Sequence, residues 1–181
     1  MTTRDKQLGL AWYLPNLASK KVLTLTSSDF ENESTIPTAH AAEQAGGQNT
    51  SPALAWSSAP SGTEQLLLVV EDPDAPTATP FIHCVALLEP TLTSLPSGAL
   101  DAQKPGSGVH VLRSSIGSGY FGPAPPKSHG SHRYVFELFA LGTPLIKLSN
   151  AALETAKPRE VLAAVENVVA RGRLDGFYKN A

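Results

Sequence analysis

The chain has 181 residues, of which 41% are hydrophobic and 17% charged, as in a folded domain and unlike a disordered segment. The formal net charge is -2 and the 14 Lys and Arg residues are scattered, so no basic stripe indicates a nucleic-acid partner. We therefore expect a single domain over residues 1–181, with its own hydrophobic core and no nucleic-acid ligand.

The cysteine content and the N-terminal residues indicate the cellular compartment. Cys84 is the single cysteine, so the chain cannot form an internal disulfide, and a reducing compartment fits best. Within residues 1–21, Pro15 and charged side chains interrupt every apolar run that could serve as a signal or membrane span. We expect a cytoplasmic protein without a membrane span; an N-terminal segment resting on a membrane surface is the alternative.

The chain is divided into short runs by 15 Pro and 14 Gly residues, a pattern typical of a β protein with many turns. Residues 21–26 (KVLTLT) alternate polar and apolar side chains and predict an early strand. Residues 66–71 (LLLVVE), 82–88 (IHCVALL) and 133–141 (RYVFELFAL) are apolar runs of strand length. We predict that the first two are central strands buried on both faces and that the third is also a strand.

Loops rich in Pro and Gly connect the predicted strands, at residues 72–80, 95–108 and 117–130. Binding and catalytic residues concentrate in such loops, so we expect the functional site there. The polar stretch 43–51 predicts a surface loop.

Near the C-terminus the pattern becomes helical. Pro158 suits a first helical position, Glu160 favours the positive end of the helix dipole, and Gly172 suits the stop. The apolar residues between them recur at helical spacing: Val161, Leu162, Val165, Val168 and Val169. We predict one amphipathic helix from Pro158 to about Gly172, packed by its valine face.

A carboxylate-rich corner, EDPDAP at residues 71–76, directly follows a predicted buried strand. Its prolines restrict the backbone, so Asp72 or Asp74 could be held in a fixed orientation toward a ligand. A β-turn in which the Asp side chains bond their own backbone is the alternative.

Two histidines stand at predicted strands. His83 lies within an apolar strand, where a satisfied core histidine is the alternative to a site residue. The loop GPAPP, at residues 122–126, runs toward a strand that begins with His132. Gly122 could bring its backbone close to a ligand and offer a free N–H to an anion, or the loop could be a plain hairpin connection.

Taken in order, SPALAW (51–56), EDPDAP, His83, GPAPP and HRYVF (132–136) resemble the phosphatidylethanolamine-binding protein family, which includes the Raf kinase inhibitor proteins. The resemblance spans most of the chain and is closest to the microbial branch. It implies a mainly β (α+β) fold: a large central antiparallel Greek-key sheet, a smaller second sheet and a few flanking helices. It also implies an anion pocket at one edge of the large sheet.

The resemblance implies particular site residues, which are Asp72, Asp74, Pro76, His83, the backbone N–H near Gly122, His132 and Tyr134. Members tend to have a cis peptide in this region, for which Ala75–Pro76 is the candidate. Cys84 stands where the family usually has Trp, which leaves the shape of the pocket open.

The chemistry of such a pocket follows from its residue types. Imidazoles beside a carboxylate have their charged form favoured, so His83 and His132 could present N–H donors to a phosphate or carboxylate. Tyr134 would lie on the same strand face as His132, because side chains alternate along a strand. We expect anion binding that strengthens as pH falls, and we expect His129 in solvent.

These observations favour a binding protein for a phosphate- or carboxylate-bearing ligand: a lipid headgroup, a small metabolite or a phosphorylated protein partner. Such a protein could have a regulatory role. No catalytic residue, cofactor or metal is assigned, and the chain is expected to be a monomer or homodimer. Two alternatives stay open. The same His and Asp residues could isomerise, dehydrate or cyclise a small substrate, or Asp72, His83 and His132 could form a metal site with two histidines and one carboxylate.

Overall fold

The computed structural model describes residues 6–149 and 151–180, and it confirms the predicted mainly β architecture. The helix α1 (Pro158–Ala163) and short 3-10 turns flank two sheets. Within the described part of the chain, no helix has the length and apolar character that crossing a bilayer requires. The strands are β1 Leu25–Thr26, β2 Ser34–Thr35, β3 Leu54–Trp56, β4 Gln65–Asp72, β5 Phe81–Leu88, β6 Ser94–Leu95, β7 Val109–Val111, β8 Ser131–Leu141 and β9 Val168–Lys179.

The large sheet has the order β2-β9-β8-β4-β5-β7, and the small sheet has the order β1-β3-β6. Neighbouring strands are antiparallel except β2 and β9, which are parallel. Of the strands β4, β5, β7 and β8, the last in the chain, β8, lies beside the first, β4. This spatial order, β8-β4-β5-β7, is that of a Greek key. The predicted antiparallel Greek-key sheet is therefore confirmed, with one parallel edge strand added.

The central strand β4 is buried on both faces. Leu66, Leu68 and Val70 pack in the core beneath the small sheet. Leu67 and Val69 point to the other face and pack beneath α1 and the N-terminal turns. This alternation follows from the two-residue period of a strand and confirms the prediction for the run LLLVVE.

The early strand predicted over residues 21–26 is shorter than expected. Only Leu25 and Thr26 belong to β1, while Val22 forms an isolated parallel bridge with Arg171 of β9. The segment hydrogen bonds first to the large sheet and then, from Thr24, to the small one. It crosses between the two sheets, which ends the ladder early.

The predicted helix from Pro158 to Gly172 is wrong in its second half. The helix α1 ends at Ala163, and Asn167 adopts a left-handed backbone with φ of 52°. The chain then enters β9, in which Gly172 pairs with Leu138. A Cβ on Gly172 would lie 2.6 Å from the carbonyl oxygen of Leu23, so this glycine permits close approach in a strand and does not stop a helix.

Buried carboxyl groups hold the N-terminal 3-10 turn (Ala11–Tyr13) on the large sheet. Glu71 Oε2 accepts the N–H of Ala11 at 2.6 Å, and Glu137 Oε1 accepts the N–H of Trp12 at 2.9 Å. Both glutamates are 0% exposed. The free N–H groups at the start of the turn are thereby satisfied by side chains from β4 and β8.

The second carboxyl oxygen of Glu137 has no donor among the described residues, so a proton on this carboxyl supplies the missing hydrogen. Burial raises the pKa of Glu137 well above its ordinary value near 4.5, and the adjacent Glu71 raises it further. The neutral carboxyl of Glu137 can then donate to Glu71.

A test of this protonation is the pH dependence of unfolding. Native Glu137 binds its proton at pH values where the unfolded chain has lost it, so stability should fall as pH rises from about 4.5 through the raised pKa. Glu137→Gln should remove this slope, because its amide is neutral at every pH. Urea unfolding over this range measures the difference, and parallel curves for the two proteins would show that Glu137 is ionised.

Candidate functional site

A pocket lies at one end of the large sheet, where three central strands meet. Asp72 is the last residue of β4, His83 is near the start of β5, and His132 and Tyr134 are near the start of β8. Because β4 is antiparallel to both neighbours, its end lies beside their beginnings. The topology thus assembles four polar side chains from three separate strands.

A bulge in β5 sets the orientation of His83. Val70 pairs with Cys84 and Glu71 pairs with Ile82, so His83 has no partner in the ladder with β4. Ile82 consequently packs on one face of the sheet and Cys84 on the other. Bulges commonly re-aim a side chain in this way beside functional sites.

Asp72 organises the corner that follows β4. Its Oδ1 accepts the N–H of Asp74 at 2.7 Å and the N–H of Ala75 at 3.0 Å. Its Oδ2 accepts from His132 Nδ1 at 2.8 Å, and Asp72 and His132 are 3% and 2% exposed. The two alternatives considered for Asp72 therefore both apply: one carboxylate oxygen bonds the backbone of the turn, and the other holds His132 at the pocket.

The imidazole of His83 is fixed by its surroundings. Its Nδ1 lies 2.7 Å from the carbonyl oxygen of Phe121, which can only accept, so Nδ1 carries a hydrogen. The ring also contacts Phe81, Phe121 and Tyr134, with centroids 4.9, 5.8 and 5.2 Å away. Nδ1 is therefore committed, and Nε2 remains for a ligand.

Burial dominates the electrostatics of His83. It lowers the pKa of this imidazole, and the nearby His132 acts in the same direction. Asp72 and the Phe121 carbonyl oppose the shift without overcoming it. The expectation that the neighbouring carboxylate favours a charged His83 is wrong, because desolvation outweighs the attraction.

Tyr134 is 1% exposed and its hydroxyl makes no hydrogen bond with the described residues. Burial raises the pKa of Tyr134, and the Asp72 charge adds to the shift. The nearby Ala124 backbone N–H favours the phenolate and opposes the shift in part. The hydroxyl is a donor without a partner at the pocket.

The cavity has a volume of about 240 Å³ and mostly apolar walls. This is below the roughly 300–1,000 Å³ of pockets that hold drug-sized ligands, so the space suits a headgroup-sized molecule. The lining residues are Asp72, Ala75, Pro76, Thr77, Phe81, His83, Phe121, Ala124, Pro125, Pro126, His132 and Tyr134.

Asp74 and Gly122, two of the residues expected in the pocket, do not line it. Asp74 Oδ2 accepts the N–H of Arg133 at 2.8 Å and fastens the loop to β8. The N–H of Gly122 is not free for an anion, because it donates to Asn49 Oδ1 at 2.7 Å. Gly122 instead permits close packing, since a Cβ there would lie 2.4 Å from the His40 carbonyl oxygen.

One expectation attached to the resemblance is also wrong, and the position of Cys84, which the resemblance left open, is settled. The Ala75–Pro76 peptide is trans, while Pro76 itself lines the cavity. Cys84 lies in the core and not at the pocket, because the bulge at His83 turns it to the other side of the wall. Burial raises the pKa of the Cys84 thiol to about 12.

Some contributors could not be singled out in the sequence. Phe81 and Phe121 form aromatic walls, and Asn49 fixes the Gly122 loop from the polar stretch 43–51. His129 is exposed, and its ring also stacks on His132 with centroids 5.7 Å apart. The Asn49–Gly122 contact joins segments distant in sequence, and no local motif marks Phe81 or Phe121 as pocket walls.

A metal centre is not what the geometry favours. Asp72 Oδ2 faces the Nδ1 of His132, and Oδ1 is taken by two backbone N–H groups. Within residues 6–149 and 151–180, no cluster of three His, Cys, Asp or Glu residues is placed to hold a metal ion.

The family profile described as phosphatidylethanolamine-binding protein matches residues 26–179. The chain belongs to the phosphatidylethanolamine-binding protein family. A UPF0098 protein of Aquifex aeolicus is 31% identical over 163 residues, covering 90% of this chain and 91% of that protein. The solved structure of Escherichia coli YbcL, described as a new member of the mammalian PEBP family, has a TM-score of 0.75 and 31% identity. It covers 87% of this chain and 98% of YbcL.

A third relative is the phomoidride biosynthesis cluster protein B of a fungus, 34% identical over 135 residues. The match covers 70% of this chain and 64% of the fungal protein. Membership in the phosphatidylethanolamine-binding protein family supports a general binding role for this chain.

Proposed function

We propose that the chain, as one domain over residues 1–181, binds small phosphate- or carboxylate-bearing ligands in the pocket of Asp72, His83, His132 and Tyr134. The ligand could be a lipid headgroup, a free metabolite or a phosphorylated side chain of a protein partner. The observation that carries the proposal is the convergence of these four side chains on one cavity with apolar walls. A few polar groups in an apolar cavity are typical of small-molecule sites.

The size of the cavity and the unpaired Tyr134 hydroxyl support this function. The hydroxyl can donate to a ligand oxygen, and His83 can add an Nε2–H donor when it takes up a proton. A ligand with one anionic group and a short body fits the space. A cytoplasmic location belongs to the same proposal, and the buried, unpaired Cys84 thiol suits a reducing compartment.

The test is a titration with inorganic phosphate, followed by the imidazole signals in NMR spectra. We expect the His83 and His132 signals to shift on binding. Because burial lowers the pKa of His83, its ring gains an Nε2 hydrogen only as pH falls, so binding should strengthen at lower pH and weaken as pH rises. The exposed His110, which does not line the pocket, is the internal control. Shifts at His110 alone, or at no histidine, would contradict an anion site here.

An enzyme is the second candidate, and the Asp72–His132 contact is the observation that favours it. A histidine oriented by a carboxylate through Nδ1 is the usual arrangement of a general base. The fungal relative named for a biosynthetic cluster is consistent with such use of the fold. A metabolite mixture could be incubated with this chain and with Asp72→Ala. A compound consumed only by the unmodified chain would favour the enzyme, and ligands recovered unchanged would favour the binding protein.

A further inference from the structure

The polar groups of the pocket have a fixed inventory of donors and acceptors. Nδ1 of His83 donates to the Phe121 carbonyl, and Nδ1 of His132 donates to Asp72. In a neutral imidazole of this tautomer, Nε2 carries a lone pair, so it accepts a hydrogen bond and cannot donate one. Both Asp72 oxygens are already engaged as acceptors. Tyr134 is left as a side-chain donor without a partner.

An oxyanion without a proton is repelled by these lone pairs. A ligand oxygen that faces His83 Nε2 needs a hydrogen between them, because two acceptors repel each other in a dry cavity. A phosphate monoester has a second pKa near about 6 and readily carries that hydrogen, whereas sulfate and phosphate diesters remain unprotonated near neutral pH. The pocket chemistry therefore distinguishes oxyanions of similar size.

We propose that the pocket selects inorganic phosphate and phosphate monoesters over sulfate and phosphate diesters, because the ligand supplies the hydrogen that His83 Nε2 accepts. This inference rests on the proposed anion-binding function and narrows its ligand class. An intact phospholipid headgroup is a diester, so a free phosphate or a phosphorylated monoester is the expected occupant.

The groups that face His83 set how the selectivity depends on pH. They are Asp72 from β4, His132 and Tyr134 from β8, and the Phe121 carbonyl from the loop before β8. Because burial lowers the pKa of His83, its ring is neutral at neutral pH. At lower pH the imidazolium becomes a donor to any oxyanion. The preference for phosphate should therefore shrink as pH falls through the lowered pKa.

The test is calorimetry of the full chain with inorganic phosphate, methyl phosphate, dimethyl phosphate and sodium sulfate. At about pH 7.5 we expect the first two to bind with proton uptake and the last two to bind roughly 10- to 100-fold more weakly. As pH falls through the lowered pKa of His83, the ratio should fall toward one. Titrations in two buffers of different ionisation enthalpy measure the proton uptake.

The variant Asp72→Asn is expected to lose selectivity for phosphate over sulfate. Asn Oδ1 can keep the two backbone N–H groups, so its amide nitrogen faces His132 Nδ1 and donates to it. The His132 hydrogen then moves to Nε2 and points toward the ligand, which imidazole ¹⁵N shifts report. Sulfate affinity relative to phosphate should rise at least about tenfold. Asp74→Asn is the matched control, because Asp74 bonds Arg133 and does not line the pocket.

The outcomes separate the two proposals. Equal affinity of the unmodified chain for phosphate and sulfate at neutral pH would overturn the selectivity and leave the anion site standing. Binding of neither anion, or tighter binding of ethanolamine than of methyl phosphate, would overturn the proposed function itself. Tighter binding of dimethyl phosphate than of methyl phosphate would select the lipid headgroup and contradict the monoester. If Asp72→Asn does not fold, His83→Gln offers an amide N–H in place of the Nε2 lone pair, with the same expected rise for sulfate.

Discussion

Replacing Glu71 with alanine is expected to lower the free energy of unfolding by about 3 kcal/mol, the lower end of the range for breaking a buried ion pair. Glu71 Oε2 accepts the Ala11 N–H, and Oε1 lies 2.6 Å from Arg159 Nη2. That contact is close but not aligned as a hydrogen bond, and the Arg159 side chain is 33% exposed. Water can therefore compensate Arg159 in part, while the Ala11 N–H is left buried without an acceptor.

Urea unfolding at neutral pH measures this effect, with Glu154→Ala as the matched control. Glu154 is exposed and only 3.5 Å from an exposed histidine nitrogen, so its removal should change stability by less than about 0.5 kcal/mol. An equal loss of unfolding free energy in both variants would show that the buried contacts of Glu71 do not stabilise the fold more than an exposed ion pair does.

His132→Ala is expected to weaken phosphate binding by roughly 10- to 100-fold, because the charged ligand loses His132 Nε2 as a hydrogen-bond partner. It should also lower stability by about 1–3 kcal/mol, because Asp72 Oδ2 loses its donor in a buried place. Two effects are expected together because His132 is both a wall of the pocket and the partner of Asp72.

His129→Ala is the control for this prediction, since His129 stacks on His132 but is exposed and absent from the cavity wall. It should retain most of the affinity and stability. Calorimetry with inorganic phosphate and urea unfolding provide both readouts. A destabilised His132→Ala protein with unchanged phosphate affinity would assign His132 to the core alone.

The sequence predicted the centre of the large sheet well, because its strands are long apolar runs with one period. The runs LLLVVE and IHCVALL lie within β4 and β5 as expected. The stretch after Val165 was misassigned because its valines also fit a helical spacing. Its period of two becomes visible only beyond the valines, in the first half of β9, where buried Ala170, Gly172 and Leu174 alternate with less buried residues.

For the site, the sequence identified the residues of its polar centre but not their bonding. Asp72, His83 and His132 stand out as polar groups in apolar surroundings. The loss of the Gly122 N–H to Asn49, by contrast, is a contact across 73 positions. Likewise, whether burial or a carboxylate controls the protonation of His83 depends on depth within the fold, which periodicity does not reveal.

The bulge at His83 separates the architecture of the sheet from the chemistry at its end. Every other residue of β5 from Phe81 to Leu88 has a partner on β4, so the ladder is complete without this one position. His83, which lines the cavity, is thus an insertion between two paired segments. Substitutions there can alter ligand preference while the pairing of the scaffold is conserved, which gives a family with one fold a simple route to divergent specificities.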